Sequence, residues 1–347
     1  MGEASVRSAI EGKSVLVTGG TGSIGREIVR RVLEYGPKVV RVFSRNEFNQ
    51  FKMAEEFGSH KNVRYLLGDV RDYDRVMRAC EGVDAIFHAA ALKHVPTCEY
   101  NPFEAVKTNV VGTQNLIEAA ILHNVERLVA ISTDKAVSPT NTMGATKLLA
   151  ERLVLAANQY KGQRRSAFSV VRFGNVLASR GSVIPFFIRQ IRSGGPVTLT
   201  HPKMRRFFMS IPDAVNLVLT SAAETKGNEI FILKMPVVII EDLIAVLIDV
   251  FAPKFGRKVS SIKVETIGIR AGERIQEELM TAEEVAAASE SDKFYVIPAQ
   301  FTPPVQNGGP ERLGYSTLSQ GALSRDEIRA MIEEKDLIEQ FLQLIED

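Results

Sequence analysis

The tightest constraint on this chain is Gly19-Gly20-Thr21-Gly22-Ser23-Ile24-Gly25. It follows at once on the β-rich run Ser14-Val15-Leu16-Val17-Thr18 and leads into a helical pattern over residues 26–35. The spacing fits both Gly20-x-Gly22-x-x-Gly25 and Gly19-x-x-Gly22-x-x-Gly25. Glycines at these places allow a tight turn, let a pyrophosphate approach the backbone and let the helix lie close to the strand. The helix start then offers free N–H groups to phosphates. Thr18, Gly19, Thr21, Gly22, Ser23, Ile24 and Gly25 are therefore the expected dinucleotide contacts. The plain alternative is a glycine-rich structural turn, but the strand before it and the helix after it are what the binding site requires.

Strand patterns recur over 39–43, 63–67, 85–88, 128–131 and 168–172, with helical stretches between them, the longest over 109–123. That alternation predicts an α/β fold, a Rossmann-type doubly wound parallel sheet. The second half is less regular. It carries a further strand over 229–233, an amphipathic helix over 241–251 and two capping boxes, Thr281/Glu284 and Ser324/Glu327. Pro298, Pro303, Pro304 and Gly308-Gly309-Pro310 read as an extended loop. The expected organisation is a dinucleotide-binding unit of residues 1–178 and 211–237. A smaller mixed α/β substrate unit would comprise 179–210 and 238–347.

Lys+Arg 43 against Asp+Glu 41 gives a net charge of +2 in 347 residues, so bulk charge directs the chain to neither nucleic acid nor membrane. An anionic ligand has to be held by local cations. The two cysteines, Cys80 and Cys98, lack metal-ligand spacing and read as reduced thiols of a cytoplasmic protein. Residues 1–13 have no apolar core, which speaks against a secretory signal. The most apolar stretch, 237–252, is interrupted by Glu241, Asp242 and Asp249, which speaks against membrane insertion. No metal site is expected; His94 has no ligand partners at suitable spacing.

Several residues fall where a dinucleotide would lie. Ser44-Arg45-Asn46-Glu47 follows the second strand, where NAD-binding chains place an acid on the ribose hydroxyls. A hydroxyl and a guanidinium suit a 2′-phosphate, so NADP is favoured, with NAD kept open by Glu47. Asp69-Val70 would meet the adenine, and Ala89-Ala90-Ala91 are small where phosphates come close. A second centre follows the apolar run of the fifth strand: Ser132-Thr133-Asp134-Lys135, then Met143 and Lys147. Four residues separate Met143 from Lys147, which sets both on one helical face. Asp134 and Lys135 are adjacent, so both reach one ligand only if the backbone turns; Ser138-Pro139 supplies a nearby break.

The glycine motif, Ala89-Ala90-Ala91, Asn109 and the Lys147 segment resemble an extended short-chain dehydrogenase/reductase over most of the chain. Within that superfamily, the stretches 90–96, 132–137 and 201–210, with Gly268-Ile269-Arg270-x-Gly272-Glu273, resemble UDP-N-acetylglucosamine 4,6-dehydratases of surface-glycan synthesis, in their short form. The resemblance implies a tightly held nicotinamide cofactor, regenerated each cycle, a UDP-N-acetylhexosamine substrate and a homo-oligomer. It implies hydride removal from C4, loss of the C5 proton and C6 hydroxyl as water, and hydride return to C6. Asp134 would be the acid and Lys135 the base, with Thr133 on the C4 hydroxyl and Lys147 on the nicotinamide ribose. Burial, Lys147 and the nicotinamide would push Lys135 below its ordinary value. Lys93 and His94 face the crevice, and Lys93 and Asn109 stand among the cofactor contacts. Asn109 serves as a backbone fixer or a helix N-cap. Asn175, Arg205, Arg206, Arg274 and Glu273 are the substrate candidates, with one of the three arginines expected to be structural or at an interface.

Met143 departs from the pattern, since tyrosine usually stands there and takes the proton of the hydroxyl being oxidised. A thioether cannot. Relatives with Met include enzymes that retain configuration at C5, so retention is favoured. A UDP-sugar 4-epimerase needs neither Asp134 nor Lys135. A non-catalytic NADP-binding sensor would explain the missing tyrosine but not the retained Lys147, Asp134 and Lys135.

Overall fold

Every residue of β1, Ser14–Thr18, is buried. So is every residue of β4, Ala85–His88, and of β6, Ala167–Arg172. Runs of Val, Ile and Phe without alternation belong to parallel strands covered on both faces. The computed structural model describes residues 3–179, 181–270, 272–298 and 314–346. Its other strands in the first half are β2 Val39–Ser44, β3 Val63–Leu67 and β5 Arg127–Ile131. Next come β7 Asn175–Val176, β8 Val197–Leu199, β9 Arg205–Met209, β10 Glu229–Leu233 and β11 Val237–Ile239. The last are β12 Val264–Thr266, β13 Glu278–Met280, β14 Ser289–Glu290, β15 Phe294–Pro298 and β16 Tyr315–Ser316.

Among the described residues the main sheet has nine strands in the order β14-β15-β10-β6-β5-β4-β1-β2-β3. β1 to β6 and β10 run parallel, and β15 and β14 are antiparallel at one edge. The strand order reverses between β1 and β4, and ligands of such sheets bind outside the carboxyl ends at that point. Rossmann-type winding is thus present as expected.

The helix expected over 109–123 begins differently. A π-helical turn, Val106–Val111, precedes the α-helix Gly112–Leu122. Asn109 therefore lies inside a helical segment and is not an N-cap. Gly112 packs directly on Val70, where a Cβ would stand 2.6 Å from its side chain.

A second core lies among helices Val183–Ser193, Ile240–Lys254, Arg325–Ile332 and Lys335–Glu346, with Phe187, Leu247, Phe251 and Phe341 at its centre. Both capping boxes form. β14 and β15 fall within 238–347 and yet extend the dinucleotide-binding sheet, and Leu279, Met280, Ile297 and Tyr315 belong to the first core. Pro298 closes β15 rather than opening a loop. Pro303, Pro304 and Gly308-Gly309-Pro310 lie outside the described residues. No helix among the described residues is long and apolar enough to cross a membrane.

β6 is tied to its neighbours by a buried charge cluster. Arg172 donates to Glu151 at 2.7 and 2.9 Å, to Glu284 at 2.9 Å and to the Leu279 carbonyl at 3.3 Å. It joins the sheet to helix Thr142–Tyr160 and to helix Ala282–Ala287. Removing one partner of such a cluster leaves the others buried and uncompensated. Arg172→Leu is expected to cost about 3–5 kcal/mol in urea unfolding; a loss below about 1 kcal/mol would mean that Glu151 and Glu284 are neutralised otherwise.

Candidate functional site

A cavity of about 660 Å³ opens at the switch point. Gly19, Thr21, Gly22, Ser23, Ile24, Gly25, Ser44, Arg45, Asn46, Asp69, Val70, Ala89, Ala90, Ala91, Lys93 and Lys147 line it, as the sequence predicts. The cradle is built for backbone approach. Gly19 has φ +65°, and a Cβ there would meet the Ala90 nitrogen at 2.7 Å. At Gly25 a Cβ would stand 2.3 Å from the Gly19 carbonyl oxygen. These residues fit a dinucleotide.

Three expected contacts do not line this cavity. Thr18 lies beneath it, with Oγ1 2.7 Å from His88 Nδ1. Glu47 is exposed as the first residue of helix Glu47–Glu56. Asn109 accepts from the Leu92 N–H at 2.8 Å and donates to the Leu92 carbonyl at 3.0 Å, which makes it a backbone fixer.

A second cavity of about 450 Å³ adjoins the first. Asp134, Arg206, Glu273, Arg274 and Glu277 line it, and Lys135 and Asn175 line both. Of the three substrate arginines, Arg205 is the one that lines neither, and it donates to the Thr317 carbonyl at 3.3 Å. His94 lines the first cavity beside Lys93. Asn175 spends its amide on the Phe207 carbonyl at 3.1 Å and on Glu277 at 3.0 Å.

Asp134 and Lys135 sit where the cavities meet. After β5 the chain enters a 3₁₀ turn, Asp134–Ala136, introduced by Thr133. This turn, rather than the expected break at Ser138-Pro139, brings Asp134 and Lys135 to one place. Helix Thr142–Tyr160 rests directly on it, because a Cβ on Gly144 would be 2.2 Å from the Lys135 carbonyl oxygen. Asn141 caps that helix by accepting from the Gly144 N–H at 2.8 Å. Met143 is buried against Cys98 and Ala105 and lines the first cavity. Lys147 donates to the Ile131 carbonyl at 2.6 Å, and burial pushes it down to about 8.

Lys135 corrects an expectation. Burial alone would lower it, but the carboxylates of Asp134 at 3.0 Å and Glu277 at 3.2 Å outweigh burial and hold it above its ordinary value. Asp134 is raised to about 6, first by burial and then by the Glu277 charge, against the pull of Lys135 and Thr133. Thr133 donates to Asp134 at 2.7 Å.

Two buried groups escaped the sequence reading. Glu277 belongs to no motif; its one cue is an acid just before the apolar pair Leu279-Met280. His88 bridges Thr18 and Thr113 and is driven to about 3 by burial and by Lys147, so it is neutral. Its only signal was a histidine ending an apolar strand. Among the described residues no cluster of His, Cys, Asp and Glu is placed to hold a metal.

Residues 15–299 match the polysaccharide biosynthesis protein family. The chain belongs to that family. It is 54% identical to an uncharacterized membrane protein of Methanocaldococcus jannaschii, over 93% of this chain and 96% of the relative. It is 43% identical to a UDP-N-acetylglucosamine 4,6-dehydratase (inverting) of Campylobacter jejuni, covering 82% and 83%. A UDP-glucose 4-epimerase of Rickettsia canadensis is also 43% identical, covering 82% and 83%. The crystal structure of Pen from Bacillus thuringiensis superposes with TM-score 0.89 at 47% identity, over 94% of this chain and 99% of that one. DesIV, a dTDP-glucose 4,6-dehydratase of Streptomyces venezuelae solved with NAD, superposes with TM-score 0.67 at 25% identity, over 76% and 86%. The fold is that of the extended short-chain dehydrogenases.

The glycine cradle carries a testable consequence. In Gly25→Ala the added carbon meets backbone, which cannot rotate away. Calorimetric titration with NAD and with NADP is expected to show affinity reduced by at least about tenfold, roughly 1.4 kcal/mol. Unchanged binding of both would mean that neither dinucleotide uses this turn.

Proposed function

We propose that this protein is a UDP-N-acetylglucosamine 4,6-dehydratase that forms UDP-4-keto-6-deoxy-N-acetylhexosamine. The observation that carries this reading is the acid–amine pair Asp134–Lys135 at the junction of the two cavities. C4 oxidation and re-reduction alone, as in an epimerase, need no such pair. Gly19, Gly22, Gly25, Ser44, Arg45, Asp69 and Lys147 would hold the cofactor. Ser44 and Arg45 line the cavity and Glu47 does not, which supports NADP over NAD. The nicotinamide would supply a hydride acceptor for C4 and a hydride donor for C6.

The residues provide the proton traffic. Met143 has no O–H, so the C4 hydroxyl proton leaves through Thr133 Oγ1 to the Asp134 carboxylate, which it already contacts. Asp134, raised to about 6, holds that proton well enough to accept it and loosely enough to give it up. It then protonates the departing C6 hydroxyl, and water leaves. Neutral Lys135 removes the C5 proton, which the adjacent ketone makes acidic, and returns it to C5. The C4 proton thus ends in water and the C5 proton ends where it began. One base working from one face gives retention. Arg206 and Arg274 supply positive charge for the diphosphate in the second cavity.

The reading is tested by incubation with UDP-N-acetylglucosamine, followed by mass spectrometry and proton NMR. The expected product is lighter by one water and shows a new C6 methyl signal. An isomer of unchanged mass means the epimerase reading, which the Rickettsia relative keeps in view. Cofactor binding without turnover means a sensor. Turnover in deuterated water shows the C5 configuration, and an inverted product would require a second proton donor on the opposite face.

Lys135 also sets the pH dependence. The amine must be neutral to accept the C5 proton, and its two carboxylates hold the ammonium above the ordinary value. kcat/KM should therefore rise with pH through neutrality and into the alkaline range. Lys135→Ala should abolish elimination with the fold intact by circular dichroism. Wild-type elimination by that variant would remove Lys135 from the mechanism.

A further inference from the structure

Glu277 lies between β12 and β13 and is held from every side. Its Oε2 accepts from the Phe207 N–H at 3.1 Å and from Asn175 Nδ2 at 3.0 Å. Its Oε1 stands 3.2 Å from Lys135 Nζ and 3.3 Å from Arg206 Nε. Its own N–H donates to Thr317 Oγ1 at 3.1 Å, and its carbonyl accepts from the Thr317 N–H at 2.9 Å. The residue is 4% exposed. With its carboxylate anchored from β9 and β7 and its backbone from Thr317, the side chain is held in place. It can only act on what it already touches.

We propose that Glu277 is a positioning residue of the reaction centre, whose fixed carboxylate pins the Lys135 amine against Asp134 and makes Asp134 the proton-carrying member of the carboxyl pair. The inference rests on the dehydratase reading. Two carboxylates around one amine in a dry site cannot both stay ionised without cost, and the one with more donors keeps the charge. Glu277 has Phe207, Asn175, Lys135 and Arg206, whereas Asp134 has Thr133 and Lys135. The other charges facing the group are Glu273, 3.8 Å behind Arg206, and the Arg274–Glu278 pair at 4.0 Å on the second cavity. The proton that Asp134 takes from the C4 hydroxyl through Thr133 is what later leaves with the C6 hydroxyl.

Glu277→Gln preserves shape and removes the charge. Asp134 then loses a repelling neighbour and Lys135 loses one of two anions, so both titrate at lower pH. The acid-side limb of the kcat/KM profile is expected to move down by about one unit, with KM within about twofold of wild type. A second measurement needs no turnover. In protein carrying carbon-13-labelled aspartate, with Asp134→Asn to assign the signal, Asp134 should titrate near 6 in the parent and lower in Glu277→Gln. An unmoved Asp134 midpoint overturns the proposal, and so does an unmoved profile. If the Gln variant does not fold, Glu277→Asp keeps the charge but draws it back from Lys135, and a smaller shift in the same direction is expected. Wild type that fails to dehydrate UDP-N-acetylglucosamine sinks the dehydratase reading, while the NMR titration still decides whether Glu277 governs Asp134.

Discussion

The site depends on one contact that contains no functional group, the approach of the Gly144 Cα to the Lys135 carbonyl oxygen. Any side chain at residue 144 would stand 2.2 Å from that oxygen, so only glycine lets helix Thr142–Tyr160 sit on the turn Asp134–Ala136. The turn takes both reacting side chains off the end of β5. The helix carries Lys147 back over the same strand end, where its ammonium is fixed by the Ile131 carbonyl. Glu151, one turn further along, joins Arg172 and through it Glu284. One close packing event therefore orders the Asp134–Lys135 pair, Lys147 and a buried ion cluster that braces the sheet.

Charge in this region is arranged in layers of opposite sign. Arg206 and Lys135 face Asp134 and Glu277, and Lys147 lies near the neutral His88. Low dielectric makes each of these groups costly alone and strongly coupled together. The result is one lysine held above its ordinary value and another pushed down to about 8, from the same residue type within one site. The difference is the number of carboxylates within reach, since burial acts on both in the same direction.

The parts legible in the sequence were those where a residue type is forced locally. Glycine is forced where a Cβ would strike backbone, as at Gly19 and Gly25, and apolar runs are forced where strands are covered on both faces. The glycine-lined cavity at the switch point follows from such rules. Glu277 was hidden because its role depends on contacts with Asn175 and Phe207, 102 and 70 residues away. The direction of the Lys135 shift was missed for the same reason, since the second carboxylate arrives from that distant segment. The start of the helix around Asn109 was missed because a π turn leaves no local signature. β14 and β15 return to the first sheet by a pairing with β10 that no periodicity could announce.

Met143 fits this electrostatic scheme. A phenolate at that position would lie one helical turn from Lys147 and would hold its ammonium in the charged form. With a thioether there, burial lowers Lys147 against the weaker upward pull of the Glu151 charge. On the dehydratase reading proposed above, the C4 hydroxyl lacks the acceptor that a phenolate would be, and Thr133, which lines the first cavity, connects it to the Asp134 carboxylate. An ordinary aspartate would be too weak a base for that duty. Burial and the Glu277 charge, by raising Asp134, supply the basicity that the missing phenolate does not. On that reading Met143 and Glu277 would be two sides of one arrangement, in which the proton-handling group stands on the turn beneath the helix.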